Sequence, residues 1–294
     1  MNPAPPKVVA EIGCNHKGDL DVARQMIETA ARFAHADYVK FQKRCNHELL
    51  SPAEYAAPHP NPAMSYGASY GEHREFLEFD AGQHRQLQDW CRDYGIGYST
   101  SVWDVTSARE MAALAPDLLK VPSACNLNFA LLDVLIGDYA GDLHLSLGMT
   151  TPDEQARIVE YLERAGAAGR VVLYACTSGY PVPFEQVCLL EITRLKTLYA
   201  GTVKAIGYSG HHLGIAVDIA AVALGADWLE RHFTLDRTWK GTDHPASLEP
   251  DGLRRLVRDV HAVTRALAAK DQPILDIELA QRRKLKRLPP PAAA

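Results

Sequence analysis

Short apolar, β-rich runs recur along the chain, and between them apolar residues return every three or four positions. The runs fall at residues 8–13, 38–42, 97–100, 118–123, 143–148, 171–176, 205–209 and 228–233. Continuous apolar runs of this length suit strands buried on both faces, as in parallel sheets, and the intervening period suits helices. Val22, Met26, Ile27 and Ala30 mark the first helix, and Ile158, Val159 and Leu162 a later one. Thr151-Pro152-Asp153-Glu154 reads as a helix start, with a cap residue, a proline and two carboxylates where free amides favour them. Eight strand–helix units predict an α/β fold, a single (β/α)8 TIM barrel, with an open doubly wound sheet as the rival arrangement.

Two segments break the rhythm. Residues 43–79 carry four prolines and the run Ser65-Tyr66-Gly67-Ala68-Ser69-Tyr70-Gly71, which reads as a long loop after a strand's C-terminal end, the kind that serves as a lid. Residues 1–270 are expected to form the barrel domain. Residues 271–294 read as a basic, frayed tail ending in Pro289-Pro290-Pro291-Ala292-Ala293-Ala294.

Composition narrows the class. An apolar fraction of 47% supplies a sizeable core, and a mean hydropathy of −0.17 without any run near ~18 apolar residues argues against a membrane span. With 31 basic and 36 acidic residues the formal charge is −5, unlike a nucleic-acid binder, yet a few lysines can still make a local pocket for small anions. The N-terminus lacks the apolar core of a secretory signal. The six cysteines are scattered without CxxC pairs, which predicts reduced thiols and a cytoplasmic location. Cys14 and Cys125 stand near strand ends and could be nucleophiles or ligands, although small buried hydrophobes is the commoner role.

In a barrel of this type the active site forms where strands end. The predicted ends deliver Glu11 with Asn15-His16, Lys40 and Gln42, Ser99-Thr100, Lys120 and Ser123, Ser146, Thr177-Ser178 with Tyr180, Ser209 with His211, and Glu230 with His232. Lysine is almost never buried unless paired, so Lys40 and Lys120 should face partners in the barrel mouth. With Thr100, Ser123, Ser146 and Ser209 they form a set suited to phosphate plus carboxylate. The other reading is a structural Lys–Glu pair with Glu11 or Glu230. His211 and His232, on adjacent strands, could hold a divalent transition ion. His212 is a possible third ligand, but the period of Leu213-Gly214-Ile215-Ala216 places it at the start of the following helix. Asp243-His244 lies in a loop that could fold over the mouth.

Several motifs resemble those of the sialic acid synthase family, the phosphoenolpyruvate-dependent N-acetylneuraminate synthases and relatives. They are Ala10-Glu11-Ile12-Gly13-Cys14-Asn15-His16-Lys17-Gly18-Asp19, Val39-Lys40-Phe41-Gln42, Leu145-Ser146-Leu147-Gly148-Met149, Tyr180-Pro181-Val182-Pro183 and Gly207-Tyr208-Ser209. Glu230-Arg231-His232-Phe233-Thr234-Leu235-Asp236 and Gly241-Thr242-Asp243-His244-Pro245-Ala246-Ser247-Leu248-Glu249 follow in family order, so the resemblance spans about residues 8–265. It implies a TIM barrel that joins phosphoenolpyruvate to an aldose, such as an N-acetylmannosamine-like or phosphorylated sugar, giving a 2-keto-3-deoxy sugar acid and phosphate. It further implies a divalent ion, Mn2+ with Mg2+ or Co2+ as alternatives, on His211 and His232. The phosphoenolpyruvate set would be Lys40, Thr100, Lys120, Ser123, Ser146 and Ser209. Glu11, Ser178, Tyr180 and Asp243 would fall on the sugar side, and the chemistry itself calls for a catalytic proton carrier, either Glu11 or a metal-bound hydroxide. A pyruvate-using aldolase and a non-catalytic sugar-phosphate-binding barrel are the alternative readings. The partners expected are the two small substrates, with no nucleic acid and no membrane.

Three departures stand out. Cys125 occupies a position where the family usually has a glutamate near the reacting centre. Gly210 precedes His211 where an acidic residue is usual, and Ser178 replaces an asparagine on the sugar side. The sequence ends at Ala294 without room for the C-terminal antifreeze-like domain of many family members, which suggests a different acceptor and leaves a homodimer an open question.

Overall fold

Each of the eight apolar runs forms a strand that pairs in parallel with the next, and the last returns to the first. A computed structural model describes residues 4–287. The strands are β1 (Lys7–Gly13), β2 (Tyr38–Lys43), β3 (Gly97–Val102), β4 (Leu118–Val121), β5 (Asp142–Ser146), β6 (Val171–Cys176), β7 (Ala205–Gly210) and β8 (Trp228–His232). Their order is sequential, and the register Lys7↔Trp228 through Glu11↔His232 closes the barrel. The fold is therefore the single (β/α)8 barrel, and the open sheet is excluded.

Helices cover the outside because one stripe of each is apolar. Leu253, Leu256, Val257 and Val260 of helix Pro250–Ala266 are buried, each contributing roughly 1.5–3 kcal/mol. Helix Pro152–Arg164 starts as its sequence indicates. Thr151 accepts from the Glu154 amide, Glu154 reaches back to the cap, and Pro152 takes the first position. The barrel interior beneath the site is filled by large rings, with Tyr174 hydroxyl 2.8 Å from His144 Nδ1 and His144 edge-on to Trp228.

The long loop after β2 is folded. It contains helices Asn46–Leu49, Pro52–Ala56 and Tyr70–Phe76 and a 3-10 turn at Pro62–Met64. Ser51 with Glu54, and Ser69 with the Glu72 amide, cap two of these. Gly71 lets the last helix lie against Tyr55, since a Cβ there would stand 2.2 Å from that ring. The tail also differs from expectation. Helix Asp276–Leu285 is held at its start by Glu278, which accepts from the Leu275 amide at 2.9 Å and from Lys270. The proline- and alanine-rich end at 289–294 lies outside the described residues.

Candidate active site

Parallel register decides which side chains share the barrel mouth, because paired residues point to the same face. Glu11 pairs with both Lys40 and His232, Gln42 with Ser101, Ser101 with Lys120, and Ser209 with Glu230. These inward residues line a cavity of about 840 Å³, within the range of small-molecule sites. Eleven of the twelve site residues expected from sequence line it, namely Glu11, Lys40, Lys120, Ser123, Ser146, Ser178, Tyr180, Ser209, His211, His232 and Asp243.

Thr100 is the exception. It pairs with Phe41, one position out of phase with Lys40 and Gln42, so it is fully buried on the opposite face of the strand. Ser101 holds the place expected of it and accepts from Lys40 Nζ at 2.7 Å. His212 is corrected as well. The helix after β7 begins only at Ala216, and His212 is buried away from the cavity with Asp218 at 3.2 Å and the Arg231 guanidinium. Asn15 and His16 are structural. The Asn15 amide donates to the Phe233 carbonyl and Ser247, and the His16 ring stacks on Phe79 at 4.1 Å.

The two lysines lie in one charge network with two glutamates. Lys40 Nζ is 2.5 Å from Glu11 and 3.8 Å from Glu230, and Lys120 Nζ is 2.6 Å from Glu230. The lysines thus face the cavity and pair with carboxylates at once, so both sequence readings describe the same side chains. Burial opposes the charge of Glu230, but Lys120 and then Lys40 overcome it and hold its carboxyl down at about 2. Burial dominates at Glu11, whose carboxyl is pushed up despite Lys40. Burial likewise pushes Lys120 down, with Glu230 opposing. Ser209 donates to Glu230 at 3.2 Å, and the Gly148 amide donates to Ser123 at 3.1 Å.

The histidines stand at the rim, ring centroids 5.4 Å apart. The Nδ1 of His211 meets the Thr177 carbonyl at 3.0 Å, which leaves its other nitrogen free, and burial pushes the ring down to about 3, so it is neutral. His232 Nδ1 is buried without a hydrogen bond, 3.9 Å from Asp243. Two imidazoles, one with an orphaned nitrogen, fit a divalent ion held by histidines. Among the described residues no third His, Cys, Asp or Glu completes a three-ligand group with them. The Tyr180 ring packs on His211 at 4.4 Å.

The departures have physical readings. A Cβ at Gly210 would lie 2.7 Å from the Tyr208 ring and 3.0 Å from His212, so an acidic side chain has no room in this packing. Cys125 does not line the cavity; its thiol lies 3.1 Å from the Trp103 carbonyl, and burial pushes it up to about 12. Cys14 lines the cavity beside Arg44, and burial raises it to about 11, which favours the thiol over the thiolate. All six cysteines are unpaired.

Sequence reasoning missed the roof. Arg44, His59, Asn61, Tyr70, His73, Arg74 and Trp103 all line the cavity, most of them from the folded segment after β2. The 35 residues between Lys43 and Phe79 gave the signal of a lid but not which of its residues turn inward. The loop after β8 closes the other side. Leu248 N donates to the His232 carbonyl at 2.8 Å, which brings Gly241, Thr242, Asp243 and Pro245 to the mouth. No helix among the described residues is long and apolar enough to cross a membrane.

The chain is 39% identical to the N-acetylneuraminate-9-phosphate synthase of Homo sapiens over 283 residues, covering 95% of this chain and 76% of that protein. It is 34% identical to the N,N'-diacetyllegionaminic acid synthase of Campylobacter jejuni over 261 residues, 88% and 77% of the two chains. A crystal structure of the N-acetylneuraminic acid synthetase from Leptospira borgpetersenii, in complex with citrate, superposes with a TM-score of 0.80 at 27% identity, over 97% of this chain and 94% of the other. The model of the NeuB family matches residues 26–272. A match over that much of the chain, on a barrel whose mouth carries the motifs in order, makes this protein a member of the NeuB family.

Proposed function

We propose that this protein condenses phosphoenolpyruvate with an aldose to give a 2-keto-3-deoxy sugar acid and inorganic phosphate. The observation that carries the reading is the buried pair Lys40 and Lys120 on one cavity with Ser101, Ser123, Ser146 and Ser209, beneath the His211–His232 pair. In the reaction, C3 of the enol phosphate bonds to the aldehyde carbon while the aldehyde oxygen takes a proton. C2, left cationic, takes up water, and the adduct loses phosphate to leave the ketone.

Lys40 and Lys120 hold the donor's anionic groups as point charges, and the serines orient them. Fixing the donor against the aldehyde in this way supplies up to roughly 7–11 kcal/mol of the barrier. Glu11 is the proton carrier, because its carboxyl, pushed up by burial, lines the cavity against Lys40 and Gln42. Cys125 replaces the usual glutamate without reaching the cavity, so proton transfer falls to Glu11. Tyr180, Ser178 and Asp243 face the acceptor. His211 and His232 would hold the divalent ion, Mn2+ first with Mg2+ or Co2+ as alternatives, which when bound supplies Lewis acidity toward the aldehyde oxygen.

The human relative is named for a 9-phosphate product and the Campylobacter relative for one without. The acceptor is accordingly a free or a phosphorylated aldose. The test is a panel of N-acetylmannosamine, mannose, arabinose and their terminal phosphates, each given with Mn2+ and phosphoenolpyruvate. Acceptor-dependent release of phosphate is expected. Release with none of them would refute the condensation, and equal product from pyruvate would make the protein an aldolase.

A further inference from the structure

The two arginines of the roof are short of carboxylates. Arg44 is paired with Glu78, through its side chain and through its backbone amide at 3.0 Å, and also donates to Cys14 at 2.8 Å. Arg74 donates only to neutral oxygens, Asn46 Oδ1 at 3.3 Å and the Tyr70 hydroxyl at 3.0 Å, and no carboxylate among the described residues lies within ion-pairing distance. Both guanidinium carbons stand 5.6 Å from the centroid of the Trp103 ring, and both side chains line the cavity. Two cations thus share one carboxylate in a half-enclosed space, where an unpaired charge is costly and a bound anion relieves it. Burial, and then repulsion from Arg44, push the Arg74 guanidinium down, the direction expected of such crowding.

This cluster is separate from the lysine floor yet tied to it. Trp103 Nε1 donates to Gln42 at 2.6 Å, and Gln42 in turn donates to Glu11, the partner of Lys40. The roof charge therefore lies one tryptophan and one glutamine above the donor's lysines. That spacing suits an anion on the far end of the second substrate, whose reactive end must face the floor. The planar forks of arginine match a phosphate monoester, which accepts two parallel hydrogen bonds.

We propose that Arg74, with Arg44 beside it, holds the terminal phosphate of a phosphorylated aldose, so that the acceptor of this protein is a sugar phosphate. The inference rests on the condensation proposed above and names its second substrate. The test compares each aldose of the panel with its terminal phosphate in wild type, Arg74→Gln and Arg74→Lys, following loss of phosphoenolpyruvate. Wild type is expected to favour the phosphorylated sugar by at least about 100-fold in kcat/KM. Arg74→Gln is expected to cut that ratio by at least about 30-fold through the acceptor KM, and Arg74→Lys to fall between. Both sugars are read on one preparation, so an unfolded fraction cancels from the ratio. A wild type that prefers free sugars, a ratio that survives Arg74→Gln, or a rise confined to the KM for phosphoenolpyruvate would each overturn the inference while leaving the condensation standing. No consumption with any sugar, free or phosphorylated, would overturn both.

Discussion

Changing Lys120 to methionine removes the cation nearest Glu230 while keeping an unbranched side chain of similar length. Lys120 Nζ is 2.6 Å from Glu230, the two side chains are 3% and 7% exposed, and the ammonium also stands 4.3 Å from the Tyr174 ring centroid. After the change the one lysine left near Glu230 is Lys40, 3.8 Å away and already closer to Glu11, beside the Ser209 hydroxyl at 3.2 Å. Breaking a buried pair from one side costs about 3–5 kcal/mol, because the other charge remains buried. Lys40 offsets part of this, so the low end applies, about 3 kcal/mol, or about 5 °C in Tm for a chain of this size. Removing both charges, Lys120→Met with Glu230→Leu, is expected to restore most of the loss, with a coupling of about 2 kcal/mol or more.

Acid separates this account from simple loss of packing. In wild type the Glu230 carboxyl is held at about 2, below its ordinary 4.5, so its stabilising contribution is full above that ordinary value and fades as pH falls through about 2. Without Lys120 burial is less opposed and the carboxyl rises. The deficit of the single variant is then largest at neutral pH and shrinks as acid neutralises Glu230. Thermal and denaturant unfolding of the four proteins between pH 4 and 8 measures both effects. Additive single changes, or a deficit that does not vary with pH, would refute the reasoning.

Glu11→Gln should lower turnover by about 10²–10⁴-fold, the usual worth of a positioned proton carrier, and near-normal turnover would exclude it from that role. Since burial pushes Glu11 above 4.5, activity that needs its carboxylate falls as pH drops through that raised value, and the glutamine variant should lack this acid limb. His232→Ala should lose bound metal and activity together at unchanged circular dichroism; metal retained at wild-type stoichiometry would remove its ligand role. Ser101→Ala removes a hydrogen bond to the Lys40 ammonium, worth about 1.5–3 kcal/mol, and should raise the KM for phosphoenolpyruvate by about tenfold or more. Thr100→Val, on the outer face, should leave that KM within about twofold, and the reverse ranking would restore Thr100 to the site.

The barrel was legible because most strands are buried on both faces and read as apolar runs, with polar residues concentrated in their second halves and beyond. Lys40 and Lys120 were the clearest of these, since a lysine inside such a run needs a reason to be there. Thr100 was misplaced by one residue because Ser99, Thr100 and Ser101 all carry hydroxyls. In a strand a shift of one position reverses the face, and three similar side chains in a row hide the phase. His212 was drawn into a helix by the apolar period that follows it; Arg231 and Asp218, distant in sequence, hold it instead. The roof stayed hidden for a further reason. Short helices such as Asn46–Leu49 and Pro52–Ala56 are too brief to declare a face, and it is tertiary packing, Gly71 on Tyr55 among it, that turns Arg74 inward.

The arrangement of charge explains why such a roof matters. On the floor, Lys40 and Lys120 are balanced by Glu11 and Glu230, so the lysines sit buried without an uncompensated charge before any substrate arrives. Only Glu11, the carboxyl that burial pushes up, can give way by taking a proton, because Glu230 is held at about 2. In the reaction proposed above, an anionic donor close to Glu11 would favour that protonation, so that binding the donor would itself load the proposed proton carrier. The roof has no such reserve, since neither arginine can shed its charge at neutral pH and Glu78 answers for one of them alone. An anion in the roof is therefore met by permanent positive charge, and an anion on the floor by positive charge released when Glu11 is neutralised. The two ends of one cavity are in this way suited to two different anionic groups, one on the reacting donor and one remote from the bond that forms.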